Sequence, residues 1–114
     1  MSISISTRLV DGVAVIDVFG QLRLGTGTSK IRDVVQELLR DGHKKLLLNM
    51  AEVLHIDSSG IGELVGCYTS ARNQGGELKL LNLSKNVRNL LQVTRLYTVF
   101  DVQDDLNQAV KAYQ

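Results

Sequence analysis

The 114-residue sequence has no proline, no tryptophan and a single cysteine, and its other aromatics are two phenylalanines and three tyrosines. Each shortage excludes something. The lone Cys67 rules out an internal disulfide and fits a reducing compartment. With only His43 and His55 beside it, no spacing of metal ligands emerges, and no cofactor is expected. Without proline, glycine carries the sharp turns. No apolar run approaches the roughly 20 residues that span a bilayer. The start, Met1-Ser2-Ile3-Ser4-Ile5, lacks the basic and long apolar regions of a signal peptide, so a cytoplasmic protein is expected. Thirteen basic residues against twelve acidic leave a net charge of +1 with no basic block. Neither nucleic acid nor a membrane surface is therefore an expected partner. A hydrophobic fraction of 44% and a length of 114 residues fit one soluble globular domain, residues 1–114.

What is present is organised around Leu54 to Leu64. The apolar run Leu46-Leu47-Leu48 ahead of it reads as a buried strand, and Ile61, Leu64, Val65 and Tyr68 recur at helical spacing after it. Asp57, Ser58 and Ser59 between them are strong helix cap formers. Gly60 and Gly62 strip side chains from the first turn, which would leave the helix start open to close approach. Unpaired N–H groups and the positive dipole end make such a start a place where a hydroxyl meets or carries an anion.

Around this stretch the chain reads as alternating elements. Ile3, Ile5 and Thr7 alternate as in a half-buried strand, Asp11-Gly12 predicts a two-residue hairpin turn, and Val13 to Phe19 is the returning strand. Gly20 closes it. Gln21 to Leu24 then leads into a loop, Gly25 to Thr28, and Thr28 is the candidate cap of a helix with Ile31, Val34, Val35, Leu38 and Leu39 on one stripe. Asp41-Gly42 ends that helix. His43 to Asn49 is the central strand, apolar on both faces. The Leu54–Leu64 stretch opens a helix reaching about Asn73, and Gly75-Gly76 turns the chain back. Glu77 to Leu83 is the next strand, Ser84 caps a helix with Val87, Leu90 and Leu91 inward, and Tyr97 to Phe100 reads as a last strand. Leu106, Ala109, Val110 and Tyr113 stripe a closing helix, with Asp104 and Asp105 in its first turn. Helix and strand by turns after a hairpin predict an α/β protein: a mixed, mostly parallel sheet with an antiparallel N-terminal strand and about four helices.

Chemistry by the residues alone is sparse. A nucleophile elbow needs glycines two positions either side of the serine, and neither Ser58 nor Ser59 has both. Nothing brings His43 or His55 to either serine as a base. Gly25-Thr26-Gly27 begins a dinucleotide fingerprint, but Lys30 stands where the third glycine belongs.

The run DSSGIGEL, Asp57 to Leu64, resembles the signature of the STAS domain, the module of anti-sigma-factor antagonists and of sulfate-transporter tails. The similarity extends from the opening hairpin to the last helix. It implies a non-enzymatic protein-binding module, with Ser58 as phosphoacceptor and Asp57, Ser59, Gly60, Gly62, Gly20 and Arg23 as partner-binding or motif residues. The implied partners are an anti-sigma factor with a histidine-kinase-like ATP-binding fold, which phosphorylates the serine, and a metal-dependent serine phosphatase. The unmodified form would capture the anti-sigma factor and free the sigma factor for transcription. The alternative is a STAS interaction or scaffold module that is not phosphorylated, set in a signalling assembly or sensing a small ligand such as a nucleotide. One position departs from the antagonist pattern. Gly20-Gln21-Leu22 is followed by Arg23, where antagonists usually carry an acidic residue, so the charge next to the expected phosphoacceptor is reversed.

Overall fold

The computed structural model describes residues 3–23, 25 and 27–114. The chain opens with an antiparallel hairpin, β1 (Ser4–Val10) and β2 (Val13–Phe19), in the register Val10 opposite Val13 to Ser4 opposite Phe19. Asp11 and Gly12 turn it at φ of 49° and 82°, the left-handed geometry that a two-residue hairpin loop requires. Next come α1 (Ser29–Arg40), β3 (Lys45–Glu52), α2 (Ser58–Asn73), β4 (Glu77–Leu81), α3 (Lys85–Val93), a single 3-10 turn (Leu96–Thr98), β5 (Val102–Gln103) and α4 (Leu106–Lys111). The sheet order is β1-β2-β3-β4-β5, and every pairing after the hairpin is parallel. This is the mixed α/β sheet with four helices that the alternating pattern predicts. Leu24, at the end of the segment leading into the expected loop, Thr26 within that loop, and Met1 and Ser2 lie outside the described residues.

Strand alternation sorts the core into two layers. Ala14, Ile16, Val18, Leu46, Leu48, Met50, Leu78 and Leu80 face α1, α2 and α3, where Ile31, Val35, Leu64, Cys67, Val87 and Leu91 complete the main core. Val13, Val15, Leu47 and Leu81 face the other way and are covered by Ala109 and Val110 of α4. Leu46, Leu47 and Leu48 are all fully buried, as expected of a strand with helices on both sides. Tyr113 locks α4 in place, its hydroxyl against the carbonyl oxygens of Leu46 and Glu77. Lys79, beneath it, lies 5.0 Å from the Tyr113 ring and 2.5 Å from an Asp101 carboxylate oxygen.

Glycine ends the long helices in the manner expected. Gly42, at φ 93°, donates to the Leu39 carbonyl while His43 N–H reaches Leu38, and Gly75 and Gly76 repeat the arrangement on Arg72 and Ala71. Gly66 has a different cause: a Cβ there would collide with the Arg32 guanidinium of α1, which lies over α2 and pairs with Glu63 at 3.4 Å. Burial pushes the neighbouring Cys67 thiol up to about 12, so it is a packed, unreactive group.

Three expectations are corrected. Tyr97 to Phe100 is not a strand. Arg95 takes a left-handed φ of 62°, the next residues close a 3-10 turn through Val99 N–H to Leu96 carbonyl, and Phe100 turns inward to pack edge-on against Tyr68 at 5.4 Å. The strand comes later, where Val102 and Gln103 pair with Leu80 and Leu81. Thr28 precedes α1 but makes no side-chain cap; backbone bonds from Lys30 to Gly27 and from Ile31 to Thr28 start the helix instead. Asp104 and Asp105 lie before α4, not in its first turn: Asp105 caps it through Gln108 N–H, and Asp104 pairs with Arg88 at 2.6 Å.

The part of the second face that α4 leaves uncovered carries a polar row. Asp17 accepts from Arg8 at 2.9 Å and from Asn49 at 2.7 Å, and Asn82 donates to Asn49 at 3.3 Å. Burial pushes the Asp17 carboxyl up, but the bonds from Arg8 and Asn49, with the Arg8 charge, outweigh it and hold the group below its ordinary range. A folded-state pKa below the unfolded value adds stability above the ordinary carboxylate range, and that stability is lost as pH falls through the folded value. Asp17→Asn should therefore lower the denaturation midpoint at pH 7 and make its decline between pH 5 and 3 shallower. Urea melts of both proteins across that window check this, and parallel declines would refute it.

Candidate functional site

The site stands at the end of the sheet where β2, β3 and β4 finish, the side on which open α/β sheets bind their ligands. Two crossings meet there. Leu22, three residues past β2, forms a parallel bridge with Ile56: Leu22 N–H donates to the His55 carbonyl at 3.1 Å, and Asp57 N–H to the Leu22 carbonyl at 3.0 Å. Gln21 adds its side-chain oxygen as acceptor for His55 N–H at 2.8 Å. The start of α2 is thereby fixed before the helix begins.

Asp57 is the N-cap. Extended at φ −114°, it accepts through one carboxylate oxygen from Ser59 N–H at 3.0 Å, Gly60 N–H at 3.1 Å and the Ser59 hydroxyl at 2.6 Å. The two serines therefore differ. Ser59 is half-buried and its hydroxyl is committed to Asp57. Ser58, at the first helical position, is exposed, and its hydroxyl meets no partner among the described residues. The helix start is also less open to anions than the sequence implies, because Asp57 already occupies two of its N–H groups.

The glycines divide in the same way, which corrects the expectation that both open the first turn. Gly60 is buried, and a Cβ on it would overlap the Leu22 carbonyl oxygen and crowd Ile56 and the Leu22 side chain. Its missing side chain serves the fit between crossing and helix. Gly62 has nothing within 4 Å of where its Cβ would stand, so it alone keeps the outer surface bare. Gly20, at φ 117°, leaves β2 in the left-handed region with Ile3 3.2 Å from its would-be Cβ. Arg23 is exposed, one residue past the Leu22 bridge, and so enters the site beside Asp57. Phe19 (43% exposed) and Leu54 (54%) lie on the two crossings at this end, apolar surface that sequence reasoning did not single out. Only the sheet register, with Phe19 opposite Glu52, shows that they share it.

Among the described residues no catalytic constellation is assembled around the serines. The His55 ring has Asn86 as its neighbour, at 3.4 Å, and His43 lies near Thr7 and Leu9 at the opposite end of the sheet. Among the described residues no cluster of three His, Cys, Asp or Glu side chains is placed to hold a metal, and no helix is long and apolar enough to cross a membrane.

A five-stranded mixed sheet with a capped helix start standing at the ends of its central strands defines a small α/β module. The STAS domain family model matches residues 4–109, and the chain belongs to that family. Among similar proteins, the anti-sigma-B factor antagonist of Staphylococcus aureus is 26% identical over 104 residues, 91% of this chain and 95% of that one. An anti-sigma factor antagonist from Mycobacterium paratuberculosis superposes with a TM-score of 0.84 at 22% identity, over 97% of this chain and 93% of that one. The anti-sigma factor antagonist SpoIIAA in its unphosphorylated form does so at 0.79 and 23%, over 96% of each chain. Its phosphorylated form, described as a Bacillus cell fate determinant, matches at 0.73 and 22%, over 97% of this chain and the whole of that one.

The two glycines give opposite expectations for stability. Gly60→Ala should cost about 1–3 kcal/mol by forcing the Leu22 crossing off the helix. Gly62→Ala should stabilise by about 0.5–1 kcal/mol, because alanine loses less backbone entropy in a helix. Paired thermal or urea melts decide it, and equal shifts would contradict the packing described.

Proposed function

We propose that this protein is an anti-sigma-factor antagonist of the cytoplasm, a binding module switched by phosphorylation of Ser58. The observation that carries the reading is that, of two adjacent hydroxyls at the helix start, only that of Ser58 is exposed and uncommitted. The names of the relatives support the general role. Unmodified, the surface around Ser58, with bare Gly62 and apolar Phe19 and Leu54, docks an anti-sigma factor built on a histidine-kinase-like ATP-binding fold. In the transfer step the Ser58 oxygen attacks the γ-phosphorus of the partner's ATP. The bond to the β-phosphate oxygen breaks, ADP leaves, and the serine proton passes to a base of the kinase. A metal-dependent serine phosphatase hydrolyses the ester and resets the module.

The switch is electrostatic. Phosphate brings nearly two negative charges. It arrives beside the Asp57 carboxylate, which already holds the Ser59 and Gly60 N–H groups, so it adds charge to the surface and does not replace a capping interaction. A loss of about 3 kcal/mol at the interface weakens binding roughly a hundredfold. Arg23, entering beside Asp57, places a cation where a phosphate on Ser58 can be paired, which tunes how much of that charge the partner meets.

Intact-mass and phosphosite mapping of protein from growing and stressed cells should find one phosphate, on Ser58, whose occupancy differs between the two. Ser58→Ala should remove it while keeping partner binding, and Ser58→Glu should weaken binding at least severalfold. Gly62→Ala should weaken binding while stabilising the fold. A phosphate confined to Ser59, or a well-observed signature peptide without phosphate in either condition, would overturn the assignment.

A further inference from the structure

β1 is an edge strand of seven residues, and among the described residues no further strand pairs with its outer side. It has no proline and no lysine, and its one cation, Arg8, turns to the other face and pairs with Asp17. The hairpin register makes Val10 and Val13 a hydrogen-bonded pair. Ile5, Thr7 and Leu9 then direct both N–H and C=O away from β2, where among the described residues they meet no partner. The side chains of these three residues lie on the face that carries α1.

A continuous groove runs between this edge and α1. At one end Ile3 and Ile5 stand opposite Asp33 and Val34. In the middle Ile5 and Thr7 face Val34, Glu37, Leu38 and Asp41, and at the far end Leu9 meets Leu38. Strand and helix ascend together along it. The floor is apolar, and Leu9 is left 62% exposed in it. The rim along α1 and its C-cap is acidic: Asp33, Glu37 and Asp41 recur every four residues, all exposed. Lys30 flanks one end and His43 the other.

We propose that this groove docks an extended segment of a partner protein, one carrying Lys or Arg at alternate positions, which adds to β1 as a sixth strand. The spacing fits. Four helical residues rise about 6 Å. Two strand residues rise about 6.7 Å, so alternate side chains of an added strand stay in step with all three carboxylates. Lysine stems would cover Val34 and Leu38 and bring their ammonium groups to the rim. The outward N–H and C=O groups of Ile5, Thr7 and Leu9 supply the backbone ladder. A second copy of this chain fits worse, because pairing two β1 edges about a two-fold would set the acidic stripes of the two α1 helices toward each other. The groove is separate from the Ser58 surface, and the proposal stands whether or not that serine is phosphorylated.

The probe is a blocked ten-residue peptide alternating threonine and lysine, with its threonine–glutamate counterpart as control. It is titrated into the isotope-labelled full chain and followed by amide hydrogen exchange. The lysine peptide should slow exchange at Ile5, Thr7 and Leu9, and the glutamate peptide should not. The double variant Asp33→Lys, Glu37→Lys should weaken binding about tenfold, since each reversal removes an attraction and adds a repulsion. Thr7→Pro deletes an outward donor and no β1–β2 bond, so it should abolish binding while the amides of Ser6 and Arg8 stay protected. Unchanged exchange at the three edge amides, or equal binding of the two peptides, would overturn the proposal. So would protection of those amides without peptide, rising with protein concentration alongside a doubled mass, which would assign the edge to a second copy.

Discussion

The contact on which the site depends is the passage of the Leu22 backbone across the first turn of α2. The Leu22 carbonyl accepts from Asp57 N–H and lies where a Cβ of residue 60 would stand, so only glycine permits the approach. That approach permits the Leu22–Ile56 bridge, and the bridge sets the extended backbone from which Asp57 caps the helix. Ser59 is drawn to the cap and Ser58 is left outside it. Exposure of one hydroxyl and engagement of its neighbour are thus consequences of how β2 leaves the sheet. A change in the Gly20–Arg23 segment would reach Ser58 through backbone, with no side-chain contact needed.

This arrangement separates two jobs that the sequence places on one short run. The orphan donors of a helix start must be satisfied by something. Were they left to a future phosphate, the unmodified helix would be the poorer state and phosphorylation would stabilise the module itself. Asp57 satisfies two of them permanently, so the helix is complete before any modification. A charge added at Ser58 would therefore find these two cap bonds already made. The exposed Arg23 follows the Leu22 bridge beside Asp57, at a position where the sequence departs from the antagonist pattern.

Local signals were legible in the sequence wherever the cause was local. Asp11-Gly12, the Gly42 and Gly75-Gly76 helix ends, the Ser84 cap and the doubly buried Leu46-Leu47-Leu48 were all readable, because each is fixed by residues within a few positions. Tyr97 to Phe100 misled because β-branched and aromatic side chains favour a strand, yet the chain must first turn out of α3, and the left-handed Arg95 carries no glycine to announce it. Gly60 misled for the opposite reason. Its partner, Leu22, is 38 positions away, and no pattern around Asp57 records that a carbonyl will press on it. Serines 58 and 59 were equivalent as cap formers until the structure showed which one the Asp57 carboxylate takes.

The sheet's second face shows why polarity gathers at the site end. α4 has six residues, about 9 Å of helix, against eight residues of β3, about 26 Å of strand. It is anchored by Tyr113 at the Leu46 and Glu77 end, so it covers Val13, Val15 and Leu47 and stops short of the strand ends. Past its reach the inward positions become Asp17, Asn49 and Asn82, joined to one another and to Arg8, and further along Phe19 and the crossings of the site are open to solvent. A longer closing helix would bury that row and the exposed Phe19 beyond it. Shortness in α4 and hydrogen-bonding side chains at Asp17 and Asn49 are therefore a single solution. An antiparallel or mixed sheet can leave part of one face wet when its exposed positions satisfy each other, and here the wet part is the part that leads to Ser58.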